Sequence, residues 1–347
     1  MFKKILIPLD GSKLAERAIP HAVHMARVFG AQIQLLHVLD STPYQDSPTV
    51  TEPLNWQILK AQAELYLSGI AAQLRDQELT IESQLREGKT AESIINFAQQ
   101  EGIDLLVIST HGASGLSRWN MSSVAAKVIS KACLPILIVR TYLQPAEASE
   151  GTVAVELDAY QENQEELAEA AAPAGSSEAG QPAFYRKILL PIDTSRRAEC
   201  VMPAAVMLAQ QGAKTILAAV MQPPSIPVPQ PYPDEFQQIS NRFVEVSQTA
   251  IRMYLDEQSR RIPDVETRVV KNFNVAEAIH EMAEQEDVDL VVLCAHGQTG
   301  CTRWPYGSIT QNYIDHGVKN VLVVQDVPCS QFRATAAEIA AEKYGRR

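Results

Sequence analysis

The 347-residue chain has no apolar run of membrane-spanning length, and Met1-Phe2-Lys3-Lys4 leads directly into a strand pattern with no signal-peptide core or cleavage site. A membrane-embedded or secreted protein is therefore not expected. Cysteine is sparse: Cys133, Cys200, Cys294, Cys301 and Cys329 are five in number, widely spread and without a C-x-x-C pair. That excludes a disulfide framework and a zinc ribbon, and it fits a reducing, cytoplasmic setting. Three catalytic signatures are also missing, namely a G-x-S-x-G elbow, a Walker A loop and an H-E-x-x-H helix, so no activated nucleophile and no metal site are expected.

Basic charge is lacking where nucleic acid would want it. Residues 1–143 hold 13 Lys+Arg and 13 Asp+Glu, and residues 184–347 hold 17 and 19. The net charge of −11 belongs largely to residues 144–183, with nine acidic residues and no basic ones. Neither flank offers the positive excess that a phosphate backbone attracts, so nucleic acid is not an expected partner.

What is present is a duplication. Lys4-Ile5-Leu6-Ile7-Pro8-Leu9-Asp10 returns as Lys187-Ile188-Leu189-Leu190-Pro191-Ile192-Asp193, 183 positions later. A helical spacing follows in both copies, with Pro20 and Pro203 at matching places and Gly30 and Gly212 at the ends, as a C-terminal glycine should be. Farther on, Asp104-Leu105-Leu106-Val107-Ile108 matches Asp289-Leu290-Val291-Val292-Leu293 at an offset of 185. His111-Gly112-x-x-Gly115 matches His296-Gly297-x-x-Gly300 at the same offset, and Arg118-Trp119 matches Arg303-Trp304.

Each copy reads as five strands alternating with helices. In the first copy the strands are expected at Lys4–Leu9, Gln32–Leu39, Thr80–Arg86, Leu105–Ser109 and Pro135–Arg140. Several are near-continuous Val/Ile/Leu runs, the mark of parallel strands covered on both faces. The fold class expected is α/β: two tandem, doubly wound, open parallel sheets of Rossmann-like form, five strands each, with helices on both faces. The domains expected are 1–143, an acidic disordered linker at 144–183, a second domain at 184–327 and a C-terminal helical tail at 328–347. The stretches Asp40–Pro53 and Gln222–Pro233, the latter with six prolines, read either as a lid beyond the strand ends or as plain connections.

The segment richest in chemistry follows the fourth strand of each copy. In the second it runs Cys294-Ala295-His296-Gly297 to Tyr306-Gly307-Ser308 and then into a helix. Glycines let backbone approach a ligand, and free N–H groups at a helix start favour anions. Cys294, His296 and Cys301 read as packing rather than a metal set, because a fourth ligand is missing. His111 and His296 read as loop hydrogen-bonding residues. Gly297, Gly300 and Asp193 also admit a purely structural role, in a turn and a helix cap.

These motifs, with Leu134-Pro135-Ile136-Leu137-Ile138-Val139-Arg140, resemble the universal stress protein family, and in particular its tandem-domain members. The resemblance covers both copies. Nucleotide-binding members of that family carry G-x-x-G-x(9)-G-[ST] after the fourth strand. Here the second copy reads Cys294, Gly297, Gly307-Ser308 and the first reads Ser109, Gly112, Ser122-Ser123, departing once and twice from the glycines. The resemblance implies that Gly297, Gly307 and Ser308 contact ATP phosphates, with Gly300 in the same loop. It places Asp193 at the ribose and adenine end and Val220 on adenine through its backbone. Asp10, Val38, Gly112, Gly115, Ser122 and Ser123 hold the equivalent places.

The function expected is a stress-response regulator binding ATP, with or without Mg2+, or a related adenine nucleotide. The second copy is expected to hold the better site, on the argument that Ser122 obstructs the phosphate and, at positive φ, is strained. A nucleotide-independent interaction module of the same fold is the alternative, and an ATP-cleaving enzyme is a third reading. The copies are expected to pair as an intrachain pseudo-dimer through their last strands, with further homo-oligomerisation open.

Overall fold

The computed structural model describes residues 1–40, 52–75, 79–112, 121–141, 184–224, 234–298 and 305–327. The chain divides into two compact units, Met1–Gln181 and Pro182–Arg347. The acidic connector, the C-terminal tail, Arg118-Trp119 and Arg303-Trp304 lie outside the described residues, as do most of the two stretches after the second strands.

Unit 1 contains β1 (Lys4–Leu9), α1 (Lys13–Glu16), α2 (Ala18–Phe29), β2 (Gln32–Leu39), α3 (Glu52–Arg75), β3 (Ile81–Glu87), α4 (Thr90–Gln100), β4 (Leu105–Ser109), α5 (Ser123–Lys131) and β5 (Ile136–Val139). Its strand order is β3-β2-β1-β4-β5, with all pairs parallel. Unit 2 contains β6 (Lys187–Pro191), a 3-10 turn (Ala198–Val201), α6 (Met202–Gln210), β7 (Lys214–Met221), α7 (Asp234–Ser259), β8 (Val265–Lys271), α8 (Val275–Gln285), β9 (Leu290–Cys294), α9 (Ser308–His316) and β10 (Asn320–Val324). Its order is β8-β7-β6-β9-β10, again all parallel.

The central strands are apolar because helices cover both faces. Every residue of β4 (LLVIS) and β9 (LVVLC) is buried, whereas β3, the last in its order, reads IESQLRE and buries only Ile81. Two expected strands shift. The third begins at Ile81 rather than Thr80, and the fifth is trimmed to Ile136–Val139. Pro135 has no N–H to give to a ladder, although its carbonyl accepts from Leu106 at 3.0 Å.

The first helix of each copy is broken where proline falls. In unit 1, α1 ends before α2, whose third residue is Pro20; in unit 2 a 3-10 turn precedes α6, with Pro203 in its first turn. Proline is tolerated there because the N–H it lacks would be unsatisfied anyway. Gly30 closes α2 at φ 63°, the left-handed cap that glycine adopts at little cost.

A repeated carboxylate fixes how β1 meets β4. Asp104 Oδ2 accepts the backbone N–H groups of Lys3 and Lys4 at 2.8 and 3.1 Å. Asp289 does the same for Arg186 and Lys187 at 2.7 and 2.9 Å. In both units the strand order reverses between these two strands. That switch point, beyond their carboxyl ends, is where open α/β sheets bind ligands.

Candidate functional site

Two loops meet at the switch point of each unit. After β1, Asp10 Oδ1 accepts from Ser12 N at 3.0 Å and Ser12 Oγ at 2.6 Å. After β6, Asp193 Oδ1 accepts from Ser195 N and Oγ at the same distances. Each serine in turn accepts an N–H three residues on, Ala15 at 3.1 Å and Ala198 at 3.2 Å. The aspartates therefore organise their own turns, the structural role that the sequence also allowed.

The second loop brings in the glycines. A Cβ built on Gly112 would overlap the Asp10 carboxylate, and one on Gly297 would overlap Asp193. Asp10 with Gly112 and Asp193 with Gly297 are thus contact pairs that require glycine, about 100 residues apart in sequence. Gly307 is different: its added Cβ would meet Ala295 O at 3.5 Å and His296 Cα at 3.6 Å, ordinary contact distances. Gly115 and Gly300 lie outside the described residues.

The helix starts α5 and α9 sit next to these pairs. Ser122 has φ −57° and ψ 147°, and Gly307 has φ −71° and ψ 164°. Neither is left-handed, so the expected backbone strain at Ser122 does not exist and cannot favour unit 2. Nor is either N–H aimed at a ligand: Ser122 N donates to Thr110 O at 2.8 Å, and Gly307 N to Ala295 O at 2.7 Å. The two starts do differ in capping. Ser122 Oγ accepts Ala125 N–H at 3.2 Å, whereas Gly307 provides no side-chain cap to α9. Ser123 and Ser308 are the first residues of their helices.

A cleft of about 200 Å³ opens at this place in unit 1. Asp10, Val38, Gly112 and Ser122 line it, with apolar walls from Leu36, Ile94, Ile108 and Val124. His37, also in the lining, has its Nδ1 buried without a hydrogen-bond partner among the described residues. Burial holds the His37 imidazole below its ordinary pKa, with the Asp10 charge pulling the other way. In unit 2 the loop closes on the aspartate. Gln298 N donates to Asp193 Oδ2 at 2.6 Å, and its Nε2 donates to Asp193 O at 2.8 Å. Val220 lies in β7 opposite Val270, as Val38 lies in β2 opposite Arg86.

The histidines tie the loop to its neighbours, and His111 also lines the unit 1 cleft. His111 is buried, its Nδ1 3.0 Å from Thr110 Oγ1 and its N–H donating to Thr141 Oγ1 at 3.2 Å. His296 Nδ1 is 2.7 Å from Asp326 Oδ1, both side chains being nearly inaccessible. Arg197 closes the group with a 3.0 Å bond to Asp326. Asp326, Gln298 and Thr194 were not singled out from the sequence. Thr194 follows Asp193 at φ 63°, where unit 1 has Gly11 at φ 83°. The signal was available in the repeat: Thr where its partner has Gly marks a strained turn. Among the described residues no cluster of three or more His, Cys, Asp or Glu assembles for a metal.

Comparison with known proteins identifies the family. The model of the universal stress protein family matches residues 1–140 and 184–325. The chain belongs to that family. It is 33% identical over 141 residues to a universal stress protein of Methanocaldococcus jannaschii, an alignment covering 40% of this chain and 83% of the relative. A solved Pseudomonas aeruginosa protein covers 99% of this chain and 98% of its own at TM-score 0.61 and 15% identity, a likeness of fold. A universal stress protein solved in complex with cAMP matches 41% of this chain and 98% of its own, at 21% identity and TM-score 0.31. No helix among the described residues is long and apolar enough to cross a membrane.

Proposed function

We propose that this universal stress protein is a cytoplasmic stress-response regulator whose switch-point sites bind ATP or a related adenine nucleotide. The observation that carries the reading is the pairing of a glycine Cα against an aspartate at the switch point, next to a helix start, in both units. The unit 1 cleft suits the nucleoside end. Its apolar walls match a purine ring, and Asp10 and His37 offer polar contacts to sugar or base. Phosphates would fall to the N-terminal turns of α5 and α9, whose dipoles favour anions. A magnesium ion accompanying ATP would rest mainly on those phosphates, because the described residues form no acidic cluster for it.

Unit 2 remains the stronger phosphate site in this reading, on a different ground from strain. Ser122 Oγ competes for a first-turn N–H of α5, and Gly307 leaves α9 without such a competitor. A nucleotide-independent interaction module is the second reading. It draws support from Gln298, which already occupies the N–H and carbonyl partners around Asp193. The family resemblance further suggests that the two units pair within the chain as a pseudo-dimer.

Isothermal titration of the full chain with ATP, with and without Mg2+, and with cAMP separates these readings. Saturable heat is expected with at least one nucleotide. Gly307→Ser, which brings in the competing hydroxyl, should weaken it about tenfold, the equivalent of about 1.4 kcal/mol, while Ser122→Gly should tighten it. An absence of heat with every nucleotide would leave the interaction module standing, and steady ADP release would move the protein to the enzymes.

A further inference from the structure

Unit 2 contains a close pair of cysteines that the nucleotide reading does not use. Cys200 lies in the 3-10 turn after β6, and Cys294 is the last residue of β9. Their sulfurs are 3.2 Å apart, with Cys200 Sγ placed to donate to Cys294 Sγ. Cys294 Sγ is also 3.4 Å from the Arg197 carbonyl, and Cys200 Sγ is 3.8 Å from that of Val324. Cys294 is buried and Cys200 is partly exposed. The equivalent places in unit 1 are Arg17 and Ser109, so the pair belongs to one copy alone.

We propose that Cys200 and Cys294 are a peroxide-sensitive dithiol that closes to an intramolecular disulfide, joining the turn after Asp193 to the strand that precedes Gly297. A disulfide needs about 2.05 Å between sulfurs, so the pair has to close by only about 1.2 Å. The more accessible Cys200 reacts first. Its thiolate attacks hydrogen peroxide, the O–O bond breaks, and Cys200 becomes a sulfenic acid with release of hydroxide. Cys294 then attacks Cys200 Sγ. The S–S bond forms as the S–O bond breaks, and the leaving hydroxide takes the Cys294 proton to become water. In total, two thiols and one peroxide give one disulfide and two waters; the sulfurs are oxidised and the peroxide reduced. Separately, the hydrogen bond with Cys200 and burial push the Cys294 thiol well above its ordinary range, which disfavours it for the first attack.

The bond would act on the site's own framework. Arg197, whose carbonyl faces Cys294, holds Asp326 through its guanidinium, and Asp326 holds His296 next to Gly297. The proposal stands whether or not a nucleotide binds.

The test exposes the full native chain to hydrogen peroxide, alkylates remaining thiols, and maps cysteine peptides by mass spectrometry. The expected product is a Cys200–Cys294 cross-linked peptide that dithiothreitol reverses, formed at peroxide doses that leave Cys133 alkylated. Cys200→Ser should abolish the cross-link and leave Cys294 alkylated. Cys294→Ser, which places at this position the residue unit 1 carries, should leave Cys200 as a sulfenic acid that dimedone captures. Three results would overturn the proposal: both cysteines alkylated as fully as in untreated protein, Cys200 bonded to Cys301 or Cys329, or Cys200 driven to sulfinic acid with no cross-link.

Discussion

At the scale of single residues, two glycines that look alike in the motif do different work. Gly297 presses against Asp193, whose Oδ2 also accepts the Gln298 N–H. Gly297→Ala must push that carboxylate out of its turn, and overpacking of this kind costs about 1–3 kcal/mol. Gly307→Ala meets nothing closer than 3.5 Å, so urea unfolding should show little change there, within about 0.5 kcal/mol. Equal losses in the two variants would refute this division of roles. Thr194 supplies the reverse case. A β-branched residue at φ 63° is in a conformation that costs roughly 1–2 kcal/mol. Replacing it by the glycine that unit 1 has at Gly11 should raise the unfolding midpoint of unit 2, and a lowered midpoint would show that the threonine is repaid elsewhere in the turn. Of these distinctions only Thr194 was legible beforehand, as a threonine where the repeat has Gly11. The sequence shows which residues recur, but a carboxylate touching a Cα some 100 residues away is a tertiary fact. The strain expected at Ser122 was argued from residue type, and its φ of −57° removes it.

At the scale of elements, α2 carries a pH response that its repeat lacks. His21 and His24 are both lowered to about 4, first by burial, then His21 by His24 and His24 by Arg27. Between about pH 4 and 6.5 these side chains are protonated in the unfolded chain and neutral in the folded one. Stability is therefore complete above pH 6.5 and declines as pH falls toward 4, by roughly 3 kcal/mol per histidine at most. Unit 2 has Ala204 and Met207 in the equivalent places. Its own response starts lower, because Arg268 holds Glu266 and Glu286 below the usual carboxylate range, and that stability is lost only as pH falls below about 4.5. Calorimetric melts at pH 7, 6, 5 and 4.5 should show one transition moving down well before the other. His21→Gln with His24→Gln should flatten the early shift, and a wild-type melt unchanged from pH 7 to 4.5 would sink the argument. The elements themselves were largely readable. Buried parallel strands such as LLVIS and LVVLC announce their class, and the proline and glycine positions mark where α2 and α6 begin and end. Boundaries moved by a residue where a backbone donor was missing, as at Pro135.

At the scale of the whole molecule, duplication poses a question about the last strands. In its own sheet each unit ends on a short apolar strand, β5 (ILIV) or β10 (NVLVV), with β4 or β9 as its neighbour. A parallel sheet ending on a fully apolar strand is a liability unless something covers it. A copy of the same fold on the same chain is the cheapest cover, because tethering replaces a bimolecular encounter by a high local concentration. The two copies need not then stay equal in chemistry, and here they have diverged: Ser122 caps α5 where Gly307 leaves α9 uncapped, and Cys200 and Cys294 stand where unit 1 has Arg17 and Ser109. On this reasoning the pseudo-dimer proposed above should scatter X-rays in solution as one particle. Its pair-distance distribution should have a single maximum, unchanged on dilution. A distribution with two separated maxima in the unmodified chain, the signature of two bodies moving independently on a tether, would rule out the pairing.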